Sequence, residues 1–269
     1  MKCLLVCLIV SAANAFVVEP WAGLNKRCNN PEFWCKSLET AKECGVVEYC
    51  QIEWNKSTPT KDIGNKISPD ADPVKITLYY ESFCGGCREF INTQWYPTYQ
   101  KLNGTGILEL ELVPFGNARE YKQGDKYIYY CQHGQQECVG NLIETCAINH
   151  LGKIALWAPF IYCLESKGAY PSVAKSCAQS LGIDYKPIDT CASGTEGNQL
   201  EHQMALKTKA LNPPHQYVPW IVVNGVHSED IQSDVQTGML EYVCNAYKGP
   251  KPAACQSVSK QRGNVCYRD

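Results

Sequence analysis

Seventeen cysteines in 269 residues constrain this chain more than any hydrophobic pattern does. Thiols at that density persist only where they can be oxidised. The first segment agrees. Met1 and Lys2 lead into the apolar run Cys3 to Val10, and Ala13-Asn14-Ala15 offers small residues for cleavage, the pattern of a secretory leader over residues 1–15. Its apolar run is too short for a bilayer, which argues against a membrane anchor. No later segment has 18 apolar residues without charges, so no stable membrane insertion is expected. Cys3 and Cys7 leave with the leader, and fifteen cysteines remain. Two sequons, Asn55-Lys56-Ser57 and Asn103-Gly104-Thr105, are expected to carry glycans on this route. The last residues, Cys-Tyr-Arg-Asp, are not a KDEL-type retention signal. The expected destination is endosomal, lysosomal or secreted.

A hydrophobic content of 45% allows a real core. The net charge of −2 gives no electrostatic reason to expect nucleic acid or an anionic membrane as partner. Residues 16–57 hold Cys28, Cys35, Cys44 and Cys50 in helix-like stretches with little core. Such a segment needs cross-links to be stable, and four cysteines leave three pairings open. Residues 58–73 are polar and Pro-punctuated, an exposed linker that a protease can cut. Residues 74–247 form the main domain. Val74 to Tyr80 alternates and is rich in β-formers, hence a strand. Arg88 to Leu102 has helical spacing that Pro97 must end or kink, and Ile107 to Val113 alternates as a second strand. This is a βαβ unit. A cysteine-rich helical insertion, about 131–210, comes next. Trp220 to Val223 is a third strand. Asn224-Gly225 signals a hairpin leading to a short fourth strand at Val226. A last helix spans Ile231 to Tyr247, and residues 248–269 are a polar tail.

Cys84-Gly85-Gly86-Cys87 sits between the first strand and its helix. Two cysteines three apart at a helix start can close a small disulfide ring while both stay near the surface. Unpaired N–H groups and the positive helix end favour a thiolate at Cys84. The two glycines let a protein chain approach. Cys84 then attacks a substrate disulfide, and Cys87 resolves the mixed disulfide. A thiol with an ordinary pKa is only about 0.03% ionised at pH 5, so work in acid requires a depressed pKa. Zinc needs four ligands, usually two such pairs, and one pair is present; a purely structural disulfide is the other alternative. No metal and no cofactor are expected. Pro219 opens the third strand after Val218. In thioredoxin-like folds a cis proline at that place faces the cysteine pair, and the backbone of Val218 can pair with substrate. The alternative is an ordinary trans proline at a strand start.

The stretch Cys131-Gln132-His133-Gly134-x-x-Glu137-Cys138-x-x-Asn141-x-x-x-x-Cys146, with Cys84 to Cys87 and Pro213 to Trp220, resembles the gamma-interferon-inducible lysosomal thiol reductase family. Phe33-Trp34-Cys35 and Glu43-Cys44-Gly45 are similar to a saposin A-type segment. The resemblance implies an α/β, thioredoxin-like fold with a helical, cysteine-rich insertion, preceded by a small disulfide-rich helical segment. It implies disulfide reduction in acidic endosomes and lysosomes that aids protein degradation and antigen processing. It also implies a precursor trimmed at both ends, with residues 16–57 and 248–269 as propeptides. Cys84 attacks and Cys87 resolves, and the partners are disulfide-bonded proteins and a small-thiol or protein electron donor. Other readings are a secretory-pathway oxidase or isomerase, or a saposin-like lipid-interacting protein without catalysis.

His133 is a structural residue, or else a general base or a charge partner for Cys84; Glu137 and Asn141 are expected to cap or cross-brace the helix that starts there. Tyr217 and Trp220 read as core or rim aromatics. Cys131, Cys138, Cys146, Cys163, Cys177, Cys191, Cys244, Cys255 and Cys266 are the remaining structural-disulfide candidates. Nine is odd, so one thiol stays free or bridges two chains, which is the basis for expecting a disulfide-linked dimer of the precursor.

Overall fold

The computed structural model describes residues 71–256 together with Ser37 and Thr40. The leader, most of the four-cysteine segment, Asn55, the linker up to residue 70 and Cys266 lie outside the described residues. The chain divides into two units, Met1–Lys66 and Ile67–Asp269. The second unit contains the sheet, the helices and the cysteine pair.

Its central strand β1 (Val74–Tyr80) pairs in parallel with β2 (Leu108–Pro114), Ile76 opposite Leu110. On its other edge it pairs antiparallel with β5 (Trp220–Val223), Leu78 opposite Ile221. The three-stranded sheet is therefore ordered β2-β1-β5. Val74, Ile76, Leu78 and Tyr80 share one face by the two-residue repeat and are all buried. Parallel pairing demands a crossover. It is supplied by α1 (Gly85–Phe90), a π turn (Ile91–Trp95) and α2 (Tyr96–Leu102). The π turn is the physical answer to Pro97. A proline ring collides with the carbonyl four residues back, and the wider turn, in which Tyr96 N–H donates to the Ile91 carbonyl, makes room for it. Phe90, Ile91 and Trp95 project from this rod into the core.

The insertion is five helices: α3 (Gln135–Leu151), α4 (Ile154–Ser166), α5 (Pro171–Ser180), α6 (Tyr185–Ser193) and α7 (Thr195–Lys209). Cys146–Cys191 ties α3 to α6, and Cys163–Cys177 ties α4 to α5. Helix α8 (Glu229–Ala246) closes the domain. Cys244–Cys255 fastens the start of the tail back onto it. No helix among the described residues is long and apolar enough to cross a membrane.

Two features differ from expectation. A hairpin of β3 (Arg119–Gln123) and β4 (Lys126–Tyr130) lies ahead of the insertion. Its inner face docks on α7, where Asn198 accepts from Tyr127 N–H at 2.9 Å and Tyr127 stacks on His202. The repeat of Tyr121, Tyr127 and Tyr129 around Gly124-Asp125 was its signal. The fourth strand expected at Val226 does not form. Asn224 and Gly225 make the turn with φ of 50° and 80°, yet Val226 pairs with Val223 in a single bridge. Ser228 then caps α8 by accepting from Ile231 N–H at 3.2 Å, so the chain enters a helix before a ladder can extend.

Candidate active site

Cys84 is the residue that caps α1. Its backbone is extended (φ −66°, ψ 120°), and its Sγ accepts the N–H of Cys87 at 3.1 Å. That N–H is one of the helix-start donors with no partner inside the helix. Arg88 N–H donates to the Cys84 carbonyl at 3.0 Å. The sulfurs of Cys84 and Cys87 are joined in a disulfide, Cα atoms 5.2 Å apart. The sequence expectation that both cysteines stay near the surface is corrected. Cys87 is fully buried and Cys84 is 8% exposed. One turn into the helix, Cys87 faces the core between strand and rod, whereas Cys84 stands at the rim beside the exposed Gly85 and Gly86. Of the two sulfur-bearing residues, only Cys84 keeps any exposed surface.

The wall opposite is the start of β5. The Val218–Pro219 peptide bond is cis, and Cys84 Sγ lies 3.7 Å from the carbonyl of half-buried Val218. A β-carbon added at Gly86 would come within 3.5 Å of Pro219 Cδ, so little more than the width of one methyl group separates the two segments. Buried Gln232 of α8 grips both sides of Trp220, donating to the Pro219 carbonyl and accepting from Ile221 N–H, each at 2.9 Å. Sequence reasoning missed Gln232, because its role depends on tertiary contact and no local pattern marks it. Trp220 is buried and stacked on His227, and Tyr217 packs edge-on against Trp220.

The insertion covers the other side. Phe83 meets Tyr170 edge to face at 5.1 Å, and Arg88 donates to the Glu165 carbonyl at 3.0 Å. The residues of the Cys131 signature come together here. Cys131 and Cys138 form a disulfide. Gly134 starts α3 at φ 89°, ψ −173°, a conformation open essentially to glycine alone. Glu137 is fully buried and reaches back to accept from Gln132 N–H (3.1 Å) and His133 N–H (2.9 Å), with the His133 ring against it. His133 also lies 3.5 Å from the Glu81 carboxylate; its ring contacts go to these acids. Asn141 accepts from Ser82 N–H at 2.9 Å. Glu81, His133 and Glu137 are the group near the cysteines whose donor atoms could hold a cation, but backbone N–H groups and the imidazole already engage both carboxylates.

Acids in this region are tuned by burial. Burial pushes Glu81 up to about 7, against the pull of Asn117 N–H and with a further push from Glu137. Glu144 and Glu165 are a fully buried pair, Glu144 bonded to Tyr80 Oη; burial raises both, so the pair keeps a proton well above the usual carboxylate range.

All ten cysteines among residues 71–256 are paired. Asn103 is exposed at the end of α2.

Residues 75–181 match the family described as gamma interferon inducible lysosomal thiol reductase, and residues 26–54 match the saposin A-type domain. A gamma-interferon-inducible lysosomal thiol reductase of Carassius auratus is 44% identical over 243 residues, 88% of this chain and 87% of that protein. One from Mus musculus is 36% identical over 209 residues, 77% and 81%. Among solved structures, the reduced form of the disulfide oxidoreductase DsbG from Mycobacterium tuberculosis aligns at 16% identity with a TM-score of 0.48, covering 77% of this chain and 93% of that one. The strand order, the cysteine pair at the first helix start and the cis proline before β5 make the fold thioredoxin-like. With identity of that extent over most of its length, the chain is a thiol–disulfide oxidoreductase and belongs to the gamma interferon inducible lysosomal thiol reductase family.

Proposed function

We propose that Cys84 and Cys87 reduce protein disulfides in an acidic endosomal or lysosomal compartment. The observation that carries this reading is the placement of Cys84 Sγ, which meets a helix-start N–H at 3.1 Å and the Val218 carbonyl at 3.7 Å, at the edge of an otherwise buried site. In the reduced enzyme that N–H and the positive helix end stabilise the Cys84 thiolate. The thiolate attacks one sulfur of a substrate disulfide; that bond breaks, a mixed disulfide forms and one substrate thiolate leaves. Cys87 then attacks the Cys84 sulfur and the second substrate thiolate departs. Two electrons pass to the substrate, Cys84–Cys87 is left oxidised, and a small-thiol or protein dithiol donor resets it. Val218 offers its backbone to an extended substrate segment beside Pro219.

Reduction of this kind opens folded proteins to proteases, which serves degradation and antigen processing. Residues 1–15 act as the leader, residues 16–57 as a saposin A-type propeptide and residues 58–73 as its cleavable linker, with glycans on Asn55 and Asn103 on the lysosomal route. Residues 248–269 are trimmed as a C-terminal propeptide. The Cys244–Cys255 bond requires that a fully released piece begin beyond Cys255. With ten cysteines paired in the domain, the odd thiol falls among Cys28, Cys35, Cys44, Cys50 and Cys266, and a disulfide-linked precursor dimer forms through it.

The test is reduction of insulin disulfides at pH 5 and pH 7 by the wild type and Cys84→Ser. The wild type is expected to work at both, and the variant at neither. A variant that keeps wild-type rates refutes the role of Cys84.

A further inference from the structure

Between β1 and Cys84 the chain runs through Glu81, Ser82 and Phe83 without regular structure. Such a stretch is normally open to water, yet Glu81 and Ser82 are 1% and 0% exposed. Buried backbone outside helices and sheets needs partners, and α3 supplies them. Ser82 N–H donates to Asn141 Oδ1 at 2.9 Å, and Ser82 Oγ donates to the Glu137 carbonyl at 3.1 Å. The fit is tight. A β-carbon added at Gly140 would fall 2.4 Å from Ser82 Oγ and 3.0 Å from Ser82 Cβ, so α3 lies this close to the loop because position 140 has no side chain. The Glu81 carbonyl in turn accepts the Cys84 N–H at 3.2 Å, and the Glu81 carboxylate accepts Asn117 N–H at 2.8 Å.

We propose that Asn141 and Glu137 are positioning residues for the thiol chemistry: through Ser82 they fix the loop that holds Cys84 Sγ against the N–H of Cys87 and the carbonyl of Val218. The signature around Cys131 then does more than fasten the insertion. The Cys131–Cys138 bond closes the turn that presents Glu137 and the start of α3, and α3 delivers Asn141 one turn further on. An N–H···S bond is directional. Loss of the Asn141 acceptor leaves a buried N–H without a partner, and the loop must shift outward to find water. The thiolate then loses part of its helix-start stabilisation, and each unit by which its pKa rises removes tenfold from the ionised fraction in acid. This inference rests on the proposed role of Cys84.

The experiment is alkylation of Cys84 by iodoacetamide, followed by peptide mass from pH 4 to 9, in the full chain carrying Cys87→Ala. Against that background, Asn141→Leu is expected to raise the midpoint by about one unit, so the rate at pH 5 falls about tenfold while the rate at pH 9 stays within about twofold. A mere loss of packing leaves the midpoint in place. Ser82→Ala removes only the bond to the Glu137 carbonyl and is expected to give a smaller shift, a loss of about threefold at pH 5, where a half-unit change predicts it. A folded Asn141→Leu protein whose profile superimposes on the parent overturns the inference. If that variant does not fold, an unchanged Ser82→Ala profile overturns it. An active Cys84→Ser enzyme defeats the reading beneath; an inactive one with unchanged Asn141→Leu and Ser82→Ala profiles defeats only the positioning role.

Discussion

Lowering the pH from 7.5 to 5 is expected to stabilise this domain, and the buried carboxyls give the size of the effect. Burial pushes Glu201 up to about 8 and Glu81 up to about 7, against 4.5 in an open chain. Thr145 donates to Glu201 at 2.7 Å, which only partly offsets its burial. A carboxyl whose folded pKa is raised binds its proton more tightly in the native state than in the unfolded one. Between 4.5 and the raised value the native protein therefore holds the extra proton, and unfolding free energy increases as pH falls. Each such proton gives a slope of about 1.4 kcal/mol per pH unit. An average excess of one proton over the window, half of what Glu201 and Glu81 can take together, amounts to about 3–4 kcal/mol between pH 7.5 and 5. The Glu144–Glu165 pair acts in the same direction. Burial lowers His215 below its ordinary 6.5, so it opposes part of the gain as pH falls below about 6.5. Glu111 also acts in the opposite direction. Burial raises it, but Lys207 and Lys75 outweigh burial and hold it below its ordinary range, so its contribution is lost only below about pH 4.5. For a domain of this size the gain corresponds to a rise in Tm of about 10 °C. Urea and thermal unfolding followed by circular dichroism, with the disulfides kept oxidised, measure it. Glu201→Gln should flatten the slope. A domain equally or more stable at pH 7.5 refutes the reasoning.

Removing Cys146–Cys191, which closes a 45-residue separation, is expected to cost about 4 kcal/mol, and removing Cys163–Cys177, which closes 14, about 3; urea midpoints of the paired Cys→Ala variants give the order, and a larger loss for the shorter loop contradicts it. Gln232→Leu strands the Pro219 carbonyl and the Ile221 N–H and is expected to destabilise by about 2–4 kcal/mol, with a larger fall in kcat/KM for insulin than for a small disulfide. Equal falls for the two substrates refute a role at the β5 wall.

Much of the site was legible because its chemistry is local. Cys84, two glycines and Cys87 between a β-rich run and a helical one already specify a sulfur at a helix start, and Pro219 ahead of four buried strand residues marks the facing wall. What the sequence hid is what distance in the chain creates. Gln232 reads as one more polar helix residue until α8 lies beside Pro219. Asn141 reads as a cap or cross-brace of its own helix, Gly140 carries no local signal, and the meaning of both appears only where α3 meets Ser82. The inward burial of Cys87 depends on which face of the rod the sheet covers. Val226 carried the right turn signal, but the cap of α8 two residues later won. The β3–β4 hairpin was missed because its short, charged strands bury only Tyr129 well.

Reduction in acid by this site requires a depressed pKa at Cys84. The direct measurement is the pH titration of thiolate absorbance at 240 nm in the reduced enzyme, with Cys84→Ser subtracted. A midpoint below about 7 is expected for a sulfur capped by the Cys87 N–H at a helix start. A midpoint near the ordinary 8.5 contradicts it, because such a thiol is almost wholly un-ionised in acid.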